Sequence, residues 1–494
     1  MLGVDLGTSS LKCVVMDEAG GLIASAGRDY PTLSLHAGWA EQNPDHWLDA
    51  LRGALNELKN RDPLLMQSLD AIGFCSAAHI PVPLDNANEV IRPAILWSDQ
   101  RSVAEVANLS ASHSTLLEET TLNGAGCTWT LPQLLWVAKH EPDSYARVRS
   151  LLSSKDYLIF RLTGKMAMDH ASAAATLMLE ARAKTWSPQV VALSKLPQSA
   201  FPLLVNPMAI VGKITSEAAR EFGLRAGTAV IAGTLDSAAE MLGCGLLAPG
   251  ESGMIRVGSV GGIMAVTDRP TFNRGIITYP HVIDGLFYKQ AGTNACATSL
   301  KWIRDLCMKM RGADAPQLTY ENLDRLATDA KSGADGLMFH PYIQGERAPY
   351  WNPDLRGSFT GIDQRHGWPQ FIRAVMEGVA FSLRDCLTMF RREGLDITSA
   401  VMAGGIVKSQ IWSQIITDVL DMKTHMIRNG DSALGACMLA ATAVGMFDDI
   451  NEAVSICVKQ EQTVIPNGAN SELYDRLFAR YQEVGKFLDA LDRK

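Results

Sequence analysis

The chain opens on a two-residue rhythm of apolar and polar positions. A short apolar run over Leu2–Asp5 ends on a carboxylate, and the polar stretch Gly7-Thr8-Ser9-Ser10 separates it from a second run over Leu11–Asp17. Gly20-Gly21 turns the chain into a third run, Gly21–Arg28. Short apolar runs bounded by Gly and hydroxyl residues predict a strand meander with a Gly-bearing hairpin tip after the first strand. The rhythm then becomes helical. Asn43-Pro44 suits a helix start, with Asn at the cap and Pro at the first helical position. Trp47, Leu48, Leu51, Leu55 and Leu58 follow on one face. Ala71–Cys75 and Pro93–Trp97 read as strands again. Strands, helix, then strands predict an α/β layered fold.

Near residue 247 the same layout starts over. Gly253–Val257 is an apolar run, Gly258-Ser259-Val260-Gly261-Gly262 a polar tip, and Ile263–Val266 a second run. A helix from about Pro369 carries Phe371, Ile372, Val375, Met376 and Val379 on one face. Ala400–Ala403 is a strand that runs into Gly404-Gly405, where a helix opens. Ser409 is placed to cap that helix, whose face is Ile411, Trp412, Ile415, Ile416 and Val419. A last helix carries Leu473, Leu477, Phe478, Tyr481, Val484 and Leu488. Two related halves, 1–246 and 247–494, therefore meet around Gly245–Ser252. With no low-complexity linker between them, they are expected to pack around a cleft.

Composition narrows the class. The 494 residues suffice for two to four domains. Hydrophobic residues at 47% and charged residues at 20% exclude a disordered chain, a coiled-coil rod and a collagen-like chain. A net charge of −8 leaves no electrostatic footprint for nucleic acid. No apolar run approaches the ~20 residues of a membrane helix, and no basic stretch precedes an apolar core as in a secretory leader. The nine cysteines are dispersed singly, without a CxxC pair. That pattern is expected of reduced, buried thiols in a cytoplasmic protein.

The polar tips carry the candidate chemistry. Asp5 ends a strand beside Gly7, Thr8, Ser9 and Ser10, whose N–H and hydroxyl groups can cradle phosphate oxygens. Asp5 can hold Mg²⁺, which takes one or two carboxylates and keeps several waters. Lys12 lies across the hairpin and can neutralise phosphate charge. An ordinary hairpin with a polar tip has the same pattern. Gly258 and Ser259 offer a second phosphate loop at the equivalent place in the second half. Gly404-Gly405 allows close backbone approach to a flat or phosphorylated ligand. Asp236 follows the apolar run Val230–Gly233, which fits either a general base at a strand end or a helix-capping Asp. His79, Asp99 and Arg101 also follow strand ends, where α/β folds place ligands. His79 equally fits a hydrogen-bonded structural histidine. No HExxH, GxSxG, GxxxxGK[ST] or GxGxxG motif is present, so zinc-protease, esterase, P-loop and dinucleotide readings lack their signatures.

Taken together, these segments resemble the FGGY family of carbohydrate kinases, and within it most closely the xylulokinase-like branch. The resemblance runs in order through nearly the whole chain. It includes GVDLGTSSLK (3–12), HAGWAEQNPDHW (36–47), RPAILWSDQR (92–101), KDYLIFRLTG (155–164) and AGTLDSAAE (232–240). It continues through GERAPYWNPDLRGSFTGI (345–362), RAVMEGVAF (373–381), AGGIVKSQIWSQIITDVL (403–420) and ALGACMLA (433–440). It implies two RNase-H-like domains, each a central mixed sheet flanked by helices, with ATP and Mg²⁺ in the interdomain cleft. It implies that Asp236 takes the proton from the sugar hydroxyl and that Asp5 is the Mg²⁺-linked acid. Thr8, Ser9, Ser10 and Lys12 match the first phosphate loop, and Gly258 and Ser259 the second. Gly404, Gly405 and Ser409 match the adenosine side, with Ala297 and Lys301 as further nucleotide contacts. Ala78, His79, Asp99, Arg101 and Ser237 match the sugar side.

Departures from the branch pattern bear on the substrate. Ser237 stands where an amide is usual, Ala78 where Met is usual, and Gln133 where a Lys is usual. A pocket that pairs one hydroxyl rejects an analogue lacking it by ~10⁴ or more, so one changed contact can redirect specificity. The expected activity is therefore ATP-dependent phosphorylation of a small ketose such as D-xylulose. The alternatives are another ketose or polyol, a binding protein without turnover, and an actin-like filament ATPase. The expected partner is a small-molecule sugar or polyol, with no nucleic acid and no membrane. A homodimer, the commonest assembly of soluble enzymes, is the expected state.

Overall fold

The computed structural model describes residues 1–311, 317–428 and 430–492. Among these, two seven-stranded mixed sheets dominate. The first runs in the order Ile210–Lys213, Ala229–Ile231, Ala71–Ser76, Leu2–Leu6, Ser10–Met16, Leu22–Asp29, and Thr234–Leu235 also pairs with Ala71–Ser76. The second runs Ile277–Pro280, Phe287–Thr293, Gly261–Thr267, Ser252–Val257, Ser399–Gly404, Lys423–Arg428, Lys459–Val464. In each, a central strand has its hairpin partner on one side and a parallel strand on the other. Leu2–Leu6 lies antiparallel to Ser10–Met16 and parallel to Ala71–Ser76. Ser252–Val257 lies antiparallel to Gly261–Thr267 and parallel to Ser399–Gly404. The repeat expected from the two polar tips is thus present as a repeat of sheet order.

Parallel neighbours need a crossover, and helices supply it. In the first half the helix Pro44–Arg61 buries the expected face of Trp47, Leu48, Leu51, Leu55 and Leu58. It packs on Val4, Leu6, Leu11 and Val15. Asn43 caps it by accepting from the Asp45 amide. In the second half the helix Trp368–Arg392 buries Ile372, Val375, Met376 and Val379 against Ile255, Val257 and Ile263. The last helix, Gly468–Asp492, lays Tyr474, Phe478 and Tyr481 on the same core.

A third core lies between the two sheets. Strand side chains alternate faces, so Val14 and Met16 of one sheet and Met254, Met264 and Val266 of the other turn inward. Two helices fill the gap, Asp236–Gly243 and Ser432–Ala443. Every residue from Ser432 to Ala441 is buried, which explains why SALGACMLAATA has no polar face. The helix sits unusually low on the first sheet. A Cβ added at Gly3 or Gly73 would strike the carbonyls of Ala433 and Ala436, and one at Gly435 would strike the Ala239 carbonyl. The second half of the chain is thereby built into the first half's core.

Two local expectations are corrected. Pro93–Trp97 shortens to the two-residue strand Ala94–Ile95, paired with Glu41–Gln42 outside the large sheet. Pro93 has no N–H to donate, and Asp99 draws the chain away by accepting from the Ala40 and Arg101 amides at 2.6 and 2.8 Å. Gly404-Gly405 does not open the α-helix. It leads into a 3₁₀ turn, Gly405–Lys408, and the helix Gln410–Leu420 starts only where Ser409 accepts from the Trp412 amide. All nine cysteines are free thiols, and all but Cys127 are buried. Among the described residues no helix is long and apolar enough to cross a membrane.

The low seat of the Ser432 helix can be tested directly. Gly435→Ala forces a methyl into backbone that cannot rotate away, and overpacking of this kind costs roughly 1–3 kcal/mol. The variant is expected to melt at a lower temperature than wild type in a thermal scan. An unchanged midpoint would mean that the two central helices stand further apart.

Candidate active site

Strand parity delivers the site. Leu2, Val4 and Leu6 point to the outer core of the first sheet, so Asp5 points inward. Ile255 and Val257 point to the outer core of the second sheet, so Arg256 points inward. The same period of two thus sends a carboxylate from one sheet and a guanidinium from the other toward a common cleft. Register does the rest. Leu6 pairs with Ser76 and Leu235 also pairs with Ser76, so the first polar tip, Ala77–His79 and Asp236 all leave the same edge of three neighbouring strands. In the second sheet Val257 pairs with Gly404, which sets the Gly258-Ser259 tip beside Gly404-Gly405.

Both central helices begin in this cleft. Asp431 caps one by accepting from the Leu434 amide at 3.0 Å and pairs with the Lys12 ammonium through its other oxygen. Ser432 donates its hydroxyl to Asp5 Oδ2 at 2.6 Å. The other helix starts on Asp236 itself, with Leu235 at the cap position, so Asp236 is not the capping residue. Its Oδ1 accepts from the Ser237 amide at 2.7 Å, and its Oδ2 faces Arg256 Nη1 at 3.5 Å. Arg256 Nε also meets Glu240 Oε2 at 3.1 Å. Two helix N-termini, the positive ends of their dipoles, therefore converge on one place.

The cluster is rich in acid. Asp5, Asp236, Glu240 and Asp431 face Arg256 and Lys12. Burial pushes the Asp5 carboxyl up to about 6, opposed by the Ser432 hydrogen bond and reinforced by the charge of Asp236. Burial likewise pushes Glu240 up to about 7, with Arg256 holding it back and Asp236, Asp5 and Asp431 adding to the rise. Asp5 Oδ1 is buried without a hydrogen-bond partner. Among the described residues no set of three or more His, Cys, Asp or Glu side chains forms a metal cage. A lone, unsatisfied carboxylate oxygen beside a second acid suits a cation that keeps its own waters and brings phosphate with it.

The other expected residues lie around the first tip, around the second tip and on the sugar side. Around the first tip, Thr8 Oγ1 accepts from Trp97 Nε1 at 3.0 Å, its carbonyl accepts from Gln42, and Ser9 is exposed. Ser10 pairs its carbonyl with the Gly7 amide at 3.0 Å, closing the tip. Around the second tip, the Gly258 carbonyl accepts from the Ala297 amide at 2.9 Å and the Ser259 carbonyl from the Thr298 hydroxyl at 2.8 Å, with Gly404 and Gly405 exposed alongside. Lys301 is one turn into the helix Ala297–Arg311, exposed and paired with Asp305 at 2.7 Å. Ser409 is turned to Asp324, at 2.9 Å.

The sugar-side group divides in two. Ala78 is partly buried beside His79, which is fully engaged. His79 Nδ1 faces the Ala175 carbonyl at 2.8 Å and so carries the proton, leaving Nε2 to accept from the Tyr279 hydroxyl at 2.7 Å. Burial lowers His79 to about 4, which keeps the ring neutral. Ser237 Oγ lies 2.8 Å from the Tyr288 hydroxyl. Asp99 and Arg101 are not brought to this group. They form a buried pair at 2.8 Å, 1% exposed each, with Arg101 also on Glu41 and over the Trp39 ring. Gln133 is buried and donates to the Leu96 carbonyl at 3.2 Å.

Arg256, Glu240, Asp431, Ser432, Tyr279 and Tyr288 escaped the sequence reading. Arg256 carried a signal, a charge at an alternate position of an apolar strand that runs into a Gly tip. Glu240 carried another, four residues after Asp236 on one helix face. The tyrosines carried none, because their partners lie far away in the chain.

Asp236 is also held from behind. Lys155, 0% exposed, pairs with Asp156 at 2.5 Å and Asp169 at 2.9 Å and donates to the Ala232 carbonyl at 3.0 Å. Asp169 accepts in turn from the Thr234 hydroxyl at 3.0 Å. The ion group thus grips the chain on both sides of Gly233, three residues before Asp236. Lys155→Met would leave two buried carboxylates without their cation, at a cost of about 3–5 kcal/mol. A clear fall in thermal midpoint is expected; a wild-type melt would show that the group holds nothing in place.

Comparison with known proteins adds to this geometry. The N-terminal domain model of the FGGY family of carbohydrate kinases matches residues 1–243, and the C-terminal domain model matches residues 253–444. A xylulose kinase of Bacillus subtilis (strain 168) is 31% identical over 98% of this chain and 96% of its own. A gluconokinase of the same strain is 27% identical over 99% of this chain and 96% of its own. The crystal structure of a xylulose kinase from Rhodospirillum rubrum superposes with a TM-score of 0.90 at 28% identity, over 100% of this chain and 99% of that one.

Proposed function

The chain belongs to the FGGY family of carbohydrate kinases, and we propose that it phosphorylates a ketopentose, converting D-xylulose and ATP to D-xylulose 5-phosphate and ADP. That it is a sugar kinase, with ATP as co-substrate and a small sugar as acceptor, follows from the family itself. The finer reading rests on one observation above others. Asp236 stands at the start of a helix in the cleft, one oxygen engaged by its own Ser237 amide and the other facing across to the second sheet. The relative from Bacillus subtilis that carries the xylulose kinase name supports the choice of sugar.

In this reading Asp236 Oδ2 accepts the proton of the sugar hydroxyl as its oxygen attacks the γ-phosphorus. The new O–P bond forms, the bond from the γ-phosphorus to the β,γ-bridging oxygen breaks, and ADP leaves with the electron pair. The proton then passes from Asp236 to water. Little covalent work falls to the protein, so positioning and charge dominate, as in other phosphoryl transfers. The tips at Thr8–Ser10 and Gly258-Ser259 supply N–H and hydroxyl donors from opposite sheets, and Lys12 adds charge. Ala297, Lys301, Gly404, Gly405 and Ser409 serve the nucleotide side. Asp5, through its unpartnered Oδ1, would hold Mg²⁺ directly or through water. When bound, the ion offsets the charge of the phosphates. His79 with Tyr279, and Ser237 with Tyr288, form the wall that the sugar meets, with Ala78 leaving room beside them. Asp99 and Arg101 brace that wall from a distance. Residues 1–246 thus carry the sugar and residues 247–494 the adenosine.

A second acceptor class has its own support. Ser237 offers a hydroxyl already shared with Tyr288 instead of a free amide, and a gluconokinase is among the relatives. The assay is therefore sugar-dependent ADP release over pentuloses, hexuloses, aldonates, tetritols and glycerol. D-Xylulose is expected to give the highest kcat/KM, and a larger value for another acceptor would replace it. Asp236→Asn is expected to lower kcat by ~10²–10⁴ with ATP affinity kept; a wild-type rate would remove Asp236 as base. Asp5→Asn is expected to raise the Mg²⁺ concentration needed for half-maximal rate about tenfold, and an unchanged requirement would take Asp5 out of the ion site.

A further inference from the structure

Arg256 lies beside the base, between Asp236 and Glu240, with no step of the proton transfer assigned to it. It lies two residues before the Gly258 tip, on the inward face of its strand, opposite Gly262 and Ala403. These small neighbours leave its side chain free to cross to the other half, where both its partners lie. Nε meets Glu240 and Nη1 faces Asp236. Among the described residues Nη2 makes no hydrogen bond. About a third of the side chain, 32%, remains open to the cleft. Glu240 against Nε and Asp236 against Nη1, one helical turn apart, thus bear on two different sides of the guanidinium and orient its plane. Nη2 is left over on a side chain that is rooted two residues before the Gly258 tip and reaches Asp236.

The phosphoryl group that Asp236 prepares an acceptor for must pass through this space. It leaves a nucleotide held at Gly258-Ser259 and reaches a hydroxyl held at Asp236. A guanidinium fixed between those two points meets it on the way, and its planar donors match phosphate oxygens in pairs. We infer that Arg256 is a catalytic residue of the transfer: with ATP and sugar bound, it donates to the oxygens of the moving γ-phosphoryl while Glu240 keeps its grip on Nε. As the P–O bond to the leaving ADP breaks and the bond to the sugar oxygen forms, the charge spread over those oxygens is met by a cation already in place. Glu240 is a positioning residue in this scheme. The inference deepens the reading of Asp236 as base and rests on it.

The test compares wild type, Arg256→Ala, Arg256→Lys and Asp236→Asn, each checked by thermal melt. An arginine aimed at a transferring phosphoryl group is worth 10³–10⁵ in rate. Arg256→Ala is expected to lose ~10³ in kcat with KM for ATP changed only a few-fold. Arg256→Lys is expected to recover little, because one ammonium cannot replace the fork. Added guanidinium ion is expected to restore part of the Ala variant's rate. In a second arm, needing no sugar, wild type is expected to bind Mg·ADP with aluminium fluoride at least tenfold more tightly than Mg·ADP alone. Arg256→Ala is expected to bind Mg·ADP normally and lose that gain. A kcat within about threefold of wild type in Arg256→Ala overturns the inference. So does full activity in Arg256→Lys, which would mean that charge alone matters. A fluoride gain kept in the Ala variant, or missing in wild type, overturns it as well, even if no acceptor tried is turned over. Asp236→Asn separates the two readings. A dead Asn variant beside an unimpaired Arg256→Ala overturns only the arginine, whereas an active Asn variant overturns the base.

Discussion

The structure depends on how closely one helix can approach one sheet. The helix Ser432–Ala443 is encoded near the end of the chain but lies on the strands that begin it, its carbonyls against Gly3 and Gly73 and its Gly435 against the Ala239 backbone. Any side chain at these places would lift the helix. Its low seat brings Ser432 within hydrogen-bond distance of Asp5, and Asp431 within reach of Lys12. It also packs the helix that starts on Asp236 against its flank. The centre of the cleft is therefore a consequence of packing: two helix N-termini and two strand ends are brought together because the core between the sheets is thin.

That thin core forces charges together. Strand parity turns Asp5 and Arg256 inward, and the helix starts add Asp236, Glu240 and Asp431. Four carboxylates meet Arg256 and Lys12 in a part-buried place, where the most buried acids bear the cost. The response is visible in Asp5 and Glu240, both raised by burial. A cation-bearing triphosphate would meet an unsatisfied oxygen on Asp5 and open donors at both tips. Sites shaped this way are costly when empty and are stabilised by the ligand they bind.

Much of this was legible in the chain wherever cause and effect are local. An apolar run, a Gly and a set of hydroxyls mark a hairpin tip without help from elsewhere, so both tips could be read directly. The amphipathic faces from Trp47 to Leu58 and from Ile411 to Val419 were legible for the same reason. What stayed hidden needed partners distant in sequence. Tyr279 bonds His79 across 200 residues, and Lys12 pairs with Asp431 across 419. Asp99 and Arg101 have distant partners of the same kind. Polar residues after a strand resemble a ligand site, and nothing local shows that Glu41 and Trp39 arrive from another segment to meet Arg101. The cap at Ser409 was legible, but the 3₁₀ turn Gly405–Lys408 that separates Gly404-Gly405 from the helix was not.

The most direct test of the central claim, that base and phosphate tips from opposite halves meet on one acceptor, is a crystal structure with Mg²⁺, a non-hydrolysable ATP analogue and D-xylulose. The claim requires one sugar hydroxyl within about 3.2 Å of the Asp236 carboxylate, with the terminal phosphate between the Thr8–Ser10 and Gly258-Ser259 tips. A sugar bound with no hydroxyl in reach of Asp236, or a triphosphate lying away from either tip, would contradict it.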